Sequence, residues 1–266
     1  MKSSSLRIVV TGASGMVGEG VMHEALLHPD VAEVIVIGRR PCGTKHTKLH
    51  EILIREFNAA ESSALREKLS GIDACFFCLG VTSLGKKEPE YTALTYDLTL
   101  DFARALAEAS PGSLFIYVSG AGTDATEQGN VMWARVKGKT ENDLRKLTFR
   151  QSIAFRPGYI HPTPGLLHPH PMYRYVSWAY PVLRRLFPAY ASTLREVGLA
   201  MINAARTGSS LPVFEVADIN RAAAEEENHL AHPRPPAGNQ PSSADPSSGN
   251  HGVLPDRDLR KNLGCG

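Results

Sequence analysis

Three glycines spaced G-x-x-G-x-x-G stand directly behind a short apolar run. Leu6–Val10 leads into Thr11-Gly12-Ala13-Ser14-Gly15-Met16-Val17-Gly18. Gly12 lets the chain turn tightly off a strand, Gly15 leaves room for a ligand against the backbone, and Gly18 lets the next helix pack closely. That helix, Val17–Leu27, carries Val17, Val21 and Ala25 at a spacing of four, and the N–H groups at its start face an anion. A glycine triplet alone is weak. Behind a strand and ahead of a helix it reads as a nucleotide-binding turn, with Gly12, Ser14, Gly15, Met16 and Val17 against the diphosphate.

Further apolar runs follow: Val34–Ile37, Ile52–Ile54, Ala74–Leu79, Leu114–Val118, Ile153–Phe155 and Val213–Val216. Helical patterns lie between them, at Glu61–Leu69, Glu90–Ala109, Met132–Lys146 and Thr193–Ala205. Runs apolar on both faces suit strands covered on both sides. The alternation predicts a Rossmann-type α/β fold, a doubly wound parallel sheet with helices on both faces and ligands at the carboxyl ends of the strands. The second strand ends in Gly38-Arg39-Arg40, about 20 residues past the last glycine, where an acidic residue would bond ribose hydroxyls. Arginine there suits the 2′-phosphate of NADP(H), so NADP(H) is expected over NAD through Arg39 and Arg40.

The net charge of +2 over 266 residues gives no reason to expect nucleic acid as a partner. Four scattered cysteines fit a reducing compartment. With a polar start at Met1–Ser5 and no apolar run of about 18 residues, the expected location is the cytoplasm. Residues 1–221 read as the folded domain, with a small substrate-side part over about 159–221. Residues 222–266, rich in Pro, Ser and Glu, read as a disordered tail.

Taken in order, Val10–Gly18, Ile37–Arg40, Cys78–Gly80, Val118–Gly122, Val136–Lys139 and Phe155–Gly158 resemble the short-chain dehydrogenase/reductase superfamily. The likeness is to its atypical branch, grouped with NAD-dependent epimerases/dehydratases and including TIP30/CC3-type oxidoreductase-like proteins, which bind NADPH. The resemblance implies that Leu79, Gly80 and Val81 lie against the adenosine half, and that Phe155, Pro157 and Gly158 lie against the nicotinamide. It also implies that Ser119 polarises a substrate carbonyl and that Lys137 bonds the nicotinamide ribose. Asp97 stands where an asparagine often joins the proton relay. The implied function is an oxidoreductase or epimerase-like enzyme acting on a small carbonyl or hydroxyl substrate.

One position departs from that pattern. Four residues before Lys137, where relatives carry the catalytic tyrosine, stands Trp133. An indole N–H donates a hydrogen bond but cannot act as acid or base. Three readings stay open: proton transfer by Tyr91, Tyr96, Asp97 or Tyr159; a reaction that needs no strong acid; or a non-catalytic NADP(H)-binding sensor that a partner protein reads. Other signals are discounted. Cys75 and Cys78 sit three apart on a strand and so on opposite faces. His161, His168 and His170 lack accompanying ligands, and no metal is expected. Met172–Tyr190 is read as cover for the substrate pocket, with membrane-surface contact as its alternative.

Overall fold

The computed structural model describes residues 5–163, 165–166 and 190–232. In chain order these form β1 (Leu6–Thr11), α1 (Met16–Leu27), β2 (Val31–Gly38), β3 (Leu49–Leu53), α2 (Ala59–Ala64), β4 (Ala74–Phe77) and α3 (Glu88–Thr92). A π-turn (Ala93–Asp97), α4 (Leu98–Ala109), β5 (Leu114–Val118), α5 (Met132–Leu144) and β6 (Gln151–Arg156) come next. The last elements are β7 (Tyr159–His161), β8 (Ala191–Thr193), α6 (Leu194–Thr207), β9 (Val213–Glu215) and α7 (Val216–Ala231). The main sheet has seven strands in the order β3-β2-β1-β4-β5-β6-β9. Every pairing in it is parallel. β7 and β8 pair separately.

Alternate residues feed two cores, as the pleat requires. Ile8 and Val10 of β1 join Phe76, Ile116 and Phe155 under α1, α6 and α7. Val9 joins Phe77, Phe115 and Tyr117 under α4 and the turn that follows α2. Cys75 belongs to the second core and Cys78 packs against the first, so the two thiols do face apart.

Three expectations need correction. The single helix over Glu90–Ala109 is α3, a π-turn and α4, starting at Glu88 with Pro89 in its first turn. The helix expected at Glu61–Leu69 is α2, begun earlier because Asn58 caps it by accepting from Glu61 N at 2.9 Å. The disordered tail does not begin at residue 222. α7 continues to Ala231, with Ala222 and Ala223 in the core and Glu226 fully buried. The acidic run at 225–227 looks solvated, but Glu226 has partners inside the fold. The rest of the expected tail lies outside the described residues, as do His168, His170 and most of Met172–Tyr190.

Candidate active site

At the carboxyl end of β1, Gly12 adopts φ +74°. A Cβ there would sit 2.8 Å from the Cys78 backbone, and one on Gly18 would sit 2.2 Å from Gly12 O. Both glycines are therefore required by close approach of main chain to main chain. Gly15 N donates to Gly12 O at 2.9 Å. Gly15 then leads into α1 with an extended backbone and no side-chain cap. The first N–H groups of α1 thus point out from an exposed glycine, which is what an anion needs. Ser14, Met16 and Val17 are partly buried around this opening.

Arg39 and Arg40 are exposed just past β2. Among the described residues neither has an ion-pair partner. They border a cleft with Gly12, Ala13, Ser14 and Gly38. An adjoining cavity of about 310 Å³ is lined by Arg39, Phe57, Leu79, Val81, Leu94 and Leu98, and nothing crowds Gly80. A side-chain-free floor, an uncapped helix start, two uncommitted guanidinium groups and an apolar slot fit a dinucleotide's phosphates and base.

The second half of the site lies at the ends of β5 and β6. Ser119 is buried, its N and Oγ both donating to Phe155 O, at 2.8 and 3.2 Å. Lys137, on α5, donates through Nζ to Ser119 O and, at 3.5 Å, to Val118 O. Ser119 and Lys137 are thus brought together. Burial pulls the Lys137 amine down to about 8, against the opposing charge of Glu141. Trp133, one turn earlier, is half-buried, its ring edge facing Gly122. The Phe155 side chain is fully buried and stacks on Phe214 at 4.9 Å between centroids, so only its carbonyl reaches the site. Pro157 O accepts from Ala121 N at 3.0 Å, tying the β5 and β6 loops together.

The alternative proton carriers are placed less well. Tyr91 is buried, and burial pushes its hydroxyl up despite a bond with Thr95. Tyr96 donates to Asp143 at 2.6 Å, which raises its pKa. The Tyr159 hydroxyl is enclosed. Asp97 is exposed at the end of the π-turn.

Sequence reasoning missed what supports Lys137. The Tyr117 ring lies 5.9 Å from Nζ, and burial first, then Tyr91, pushes its hydroxyl far above the usual range. Glu141, fully buried, takes two bonds from Arg156, at 3.0 and 2.6 Å. Nothing in the order of residues marks that pair, which only the packing of α5 on β6 brings together. The loop before α5 is held by Asp124, which accepts from Thr126 N, Thr126 Oγ1 and Gly129 N.

Other polar clusters serve packing. Burial pushes Cys78 up to about 12 and Cys75 well above the ordinary value, so neither is a ready thiolate. His28, Asp30 and Glu226 bring ligand-type atoms within 4.8 Å of one another. Yet Arg206 bonds both carboxylates, and Asp30 N donates to His28 Nδ1. His28 Nδ1 is thus taken as an acceptor, and Nε2 lies 3.0 Å from Glu226. Among the described residues no helix is long and apolar enough to cross a membrane.

Residues 8–130 match the NAD dependent epimerase/dehydratase family. Protein fmp52-1, mitochondrial, of Aspergillus oryzae is 31% identical over 154 residues, covering 56% of this chain and 63% of that protein. Protein HTATIP2 of Rattus norvegicus is 25% identical over 159 residues, covering 60% and 64%. The chain thus spans just under two thirds of the length of these relatives. A Burkholderia cenocepacia short chain dehydrogenase, solved in complex with NADP, has a TM-score of 0.57 at 17% identity, covering 88% of this chain and 100% of that one. The Bordetella bronchiseptica enzyme WbmF, solved with NAD+, has a TM-score of 0.59 at 13% identity, covering 88% and 81%. At such identities the structures share the fold. Together these likenesses show a fold shared with short chain dehydrogenases and sugar-nucleotide epimerases. The cytoplasmic expectation is overturned, because fungal relatives are named mitochondrial. Few cysteines fit a reducing compartment but do not distinguish one such compartment from another.

Proposed function

Because residues 8–130 match the NAD dependent epimerase/dehydratase family, we propose that this protein binds NADP(H) and acts as an oxidoreductase or epimerase-like enzyme on a small carbonyl or hydroxyl substrate. The observation that carries the reading is the convergence of Ser119 and Lys137 at the carboxyl end of β5, in the sheet whose β1 ends at the Gly12–Gly18 turn. N–H groups of Met16 and Val17 hold the diphosphate, with Gly15 leaving room for its approach. Arg39 and Arg40 bond the 2′-phosphate, and Leu79 and Val81 cover the adenosine. Lys137 and the backbone of Phe155–Gly158 hold the nicotinamide end, and Ser119 orients the substrate oxygen. In this structure the Ser119 proton is committed to Phe155 O, so substrate must draw that hydroxyl round. Fluorescence titration with NADPH and NADH tests the cofactor: NADPH binds more tightly, and Arg39→Ala removes most of the difference. Equal affinities in the wild type overturn the 2′-phosphate assignment.

A second reading rests on Trp133. With no tyrosine hydroxyl on α5, the fold could hold NADP(H) without turning it over, its occupancy presenting a surface to a partner protein. Partner affinity that is the same with and without NADPH removes that reading.

A further inference from the structure

Trp133 leaves a vacancy in the chemistry of the site, and the group best placed to fill it is already in contact with the Ser119 main chain. Resting on the reading of this cleft as an NADP(H)-dependent carbonyl site, we propose that the Lys137 amine is its proton donor, delivering an Nζ proton to the substrate oxygen where relatives use a tyrosine hydroxyl.

Among the described residues Lys137 Nζ bonds carbonyl oxygens alone, those of Ser119 and Val118. Among the described residues no carboxylate lies within ion-pair reach of it. Every charged or titratable neighbour is otherwise committed or uncharged. Glu141, one turn along α5, is held by Arg156 at 2.6 Å and Arg145 at 3.6 Å. Tyr117 of β5 presents its ring face. Tyr91 of α3 acts on Tyr117, and both hydroxyls stay protonated because burial raises them. A cation so placed is desolvated without being neutralised, which is how a lysine becomes a usable acid near neutral pH. The amine titrates at about 8, and general acids work best when their pKa lies near the operating pH. Carbonyl carbon gains a hydride from the reduced dinucleotide, the carbon–oxygen π pair moves onto oxygen, and oxygen takes the Nζ proton. The neutral amine is then reprotonated from solvent.

Two measurements on the full chain test this. Trace acetylation with acetic anhydride across pH 6–11, read by mass spectrometry, follows the amine itself. Lys137 is expected to gain reactivity with a midpoint near 8, well below Lys139, whose bond to Asp143 raises its pKa. A Lys137 midpoint matching that of Lys139 overturns the proposal without any variant or turnover. NADPH oxidation with 4-nitrobenzaldehyde, cyclohexanone and phenanthrenequinone follows the chemistry. Reduction is expected to fall above pH 8, since the donor must be protonated. Lys137→Arg, still binding NADPH, is expected to lose about 100-fold or more. Full turnover in that variant overturns the proposal, as does NADPH binding with no reduction of any probe; both leave the cofactor reading standing. Failure to bind NADPH at all removes that reading and the proposal together.

Discussion

Gly18 has the least room of the glycines in the turn. Its missing Cβ is all that separates α1 from Gly12 O, and main chain cannot yield as a flexible side chain would. Gly18→Ala is expected to lower stability by about 1–3 kcal/mol or more, the usual cost of overpacking, and to weaken dinucleotide binding, read as a fall in Tm together with lost NADPH fluorescence transfer. At the other end of the cleft, Ser119→Ala removes one hydroxyl from a buried site whose acceptor, Phe155 O, keeps its bond from Ser119 N. Folding should therefore be nearly unchanged while turnover of a carbonyl probe drops by an order of magnitude or more. Unchanged turnover takes Ser119 out of the chemistry.

At the scale of elements, the parts readable from residue order were those whose cause is local. Leu114–Val118 is apolar on both faces and is β5 to the residue. Thr193 and Glu196 form a capping box at the start of α6, close to where the periodicity begins. What stayed hidden depends on partners far along the chain. The π-turn interrupts an otherwise regular pattern, and Asp97 ends it facing outward. In α7 a glutamate among glutamates is the buried one, because Asn203 and Arg206 of α6 meet it. Glu141 and Arg156 were equally silent, each an ordinary polar residue until α5 packs beside β6. Glu141→Gln should show what that pair does for the site. It removes one of two carboxylates on Arg156, which keeps Glu215 at 3.1 Å, at a cost of about 1–3 kcal/mol. It also removes the acid that holds the Lys137 amine up, so the acetylation midpoint should move lower.

For the whole molecule, the amino end of the sheet is closed by charge as well as by packing. Asp30 accepts from Arg206 at 2.8 Å and His229 at 2.9 Å, and Glu226 from Arg206 and Asn203. Burial pushes both carboxyls up, but these bonds and charges outweigh it and leave both below the ordinary carboxylate range. Groups with depressed folded values stabilise fully above their unfolded pKa, about 4. That stability is lost as pH falls through the folded values. Thermal unfolding followed from pH 7 to pH 3 should therefore show a steep loss below about pH 4. Glu226→Gln should start from a lower Tm at pH 7 and fall less steeply. Parallel curves would mean that Glu226 does not govern acid stability.

The pairing of Glu226 with His28 should also set an order to folding during synthesis. The outer face of α1 is covered by α6, and His28, just past α1, meets Glu226 of α7. A nascent chain that has finished all six strands from β1 to β6 still carries an uncovered helix and an unmatched imidazole. Chaperone contact during translation should concentrate there and end only when α7 clears the exit tunnel.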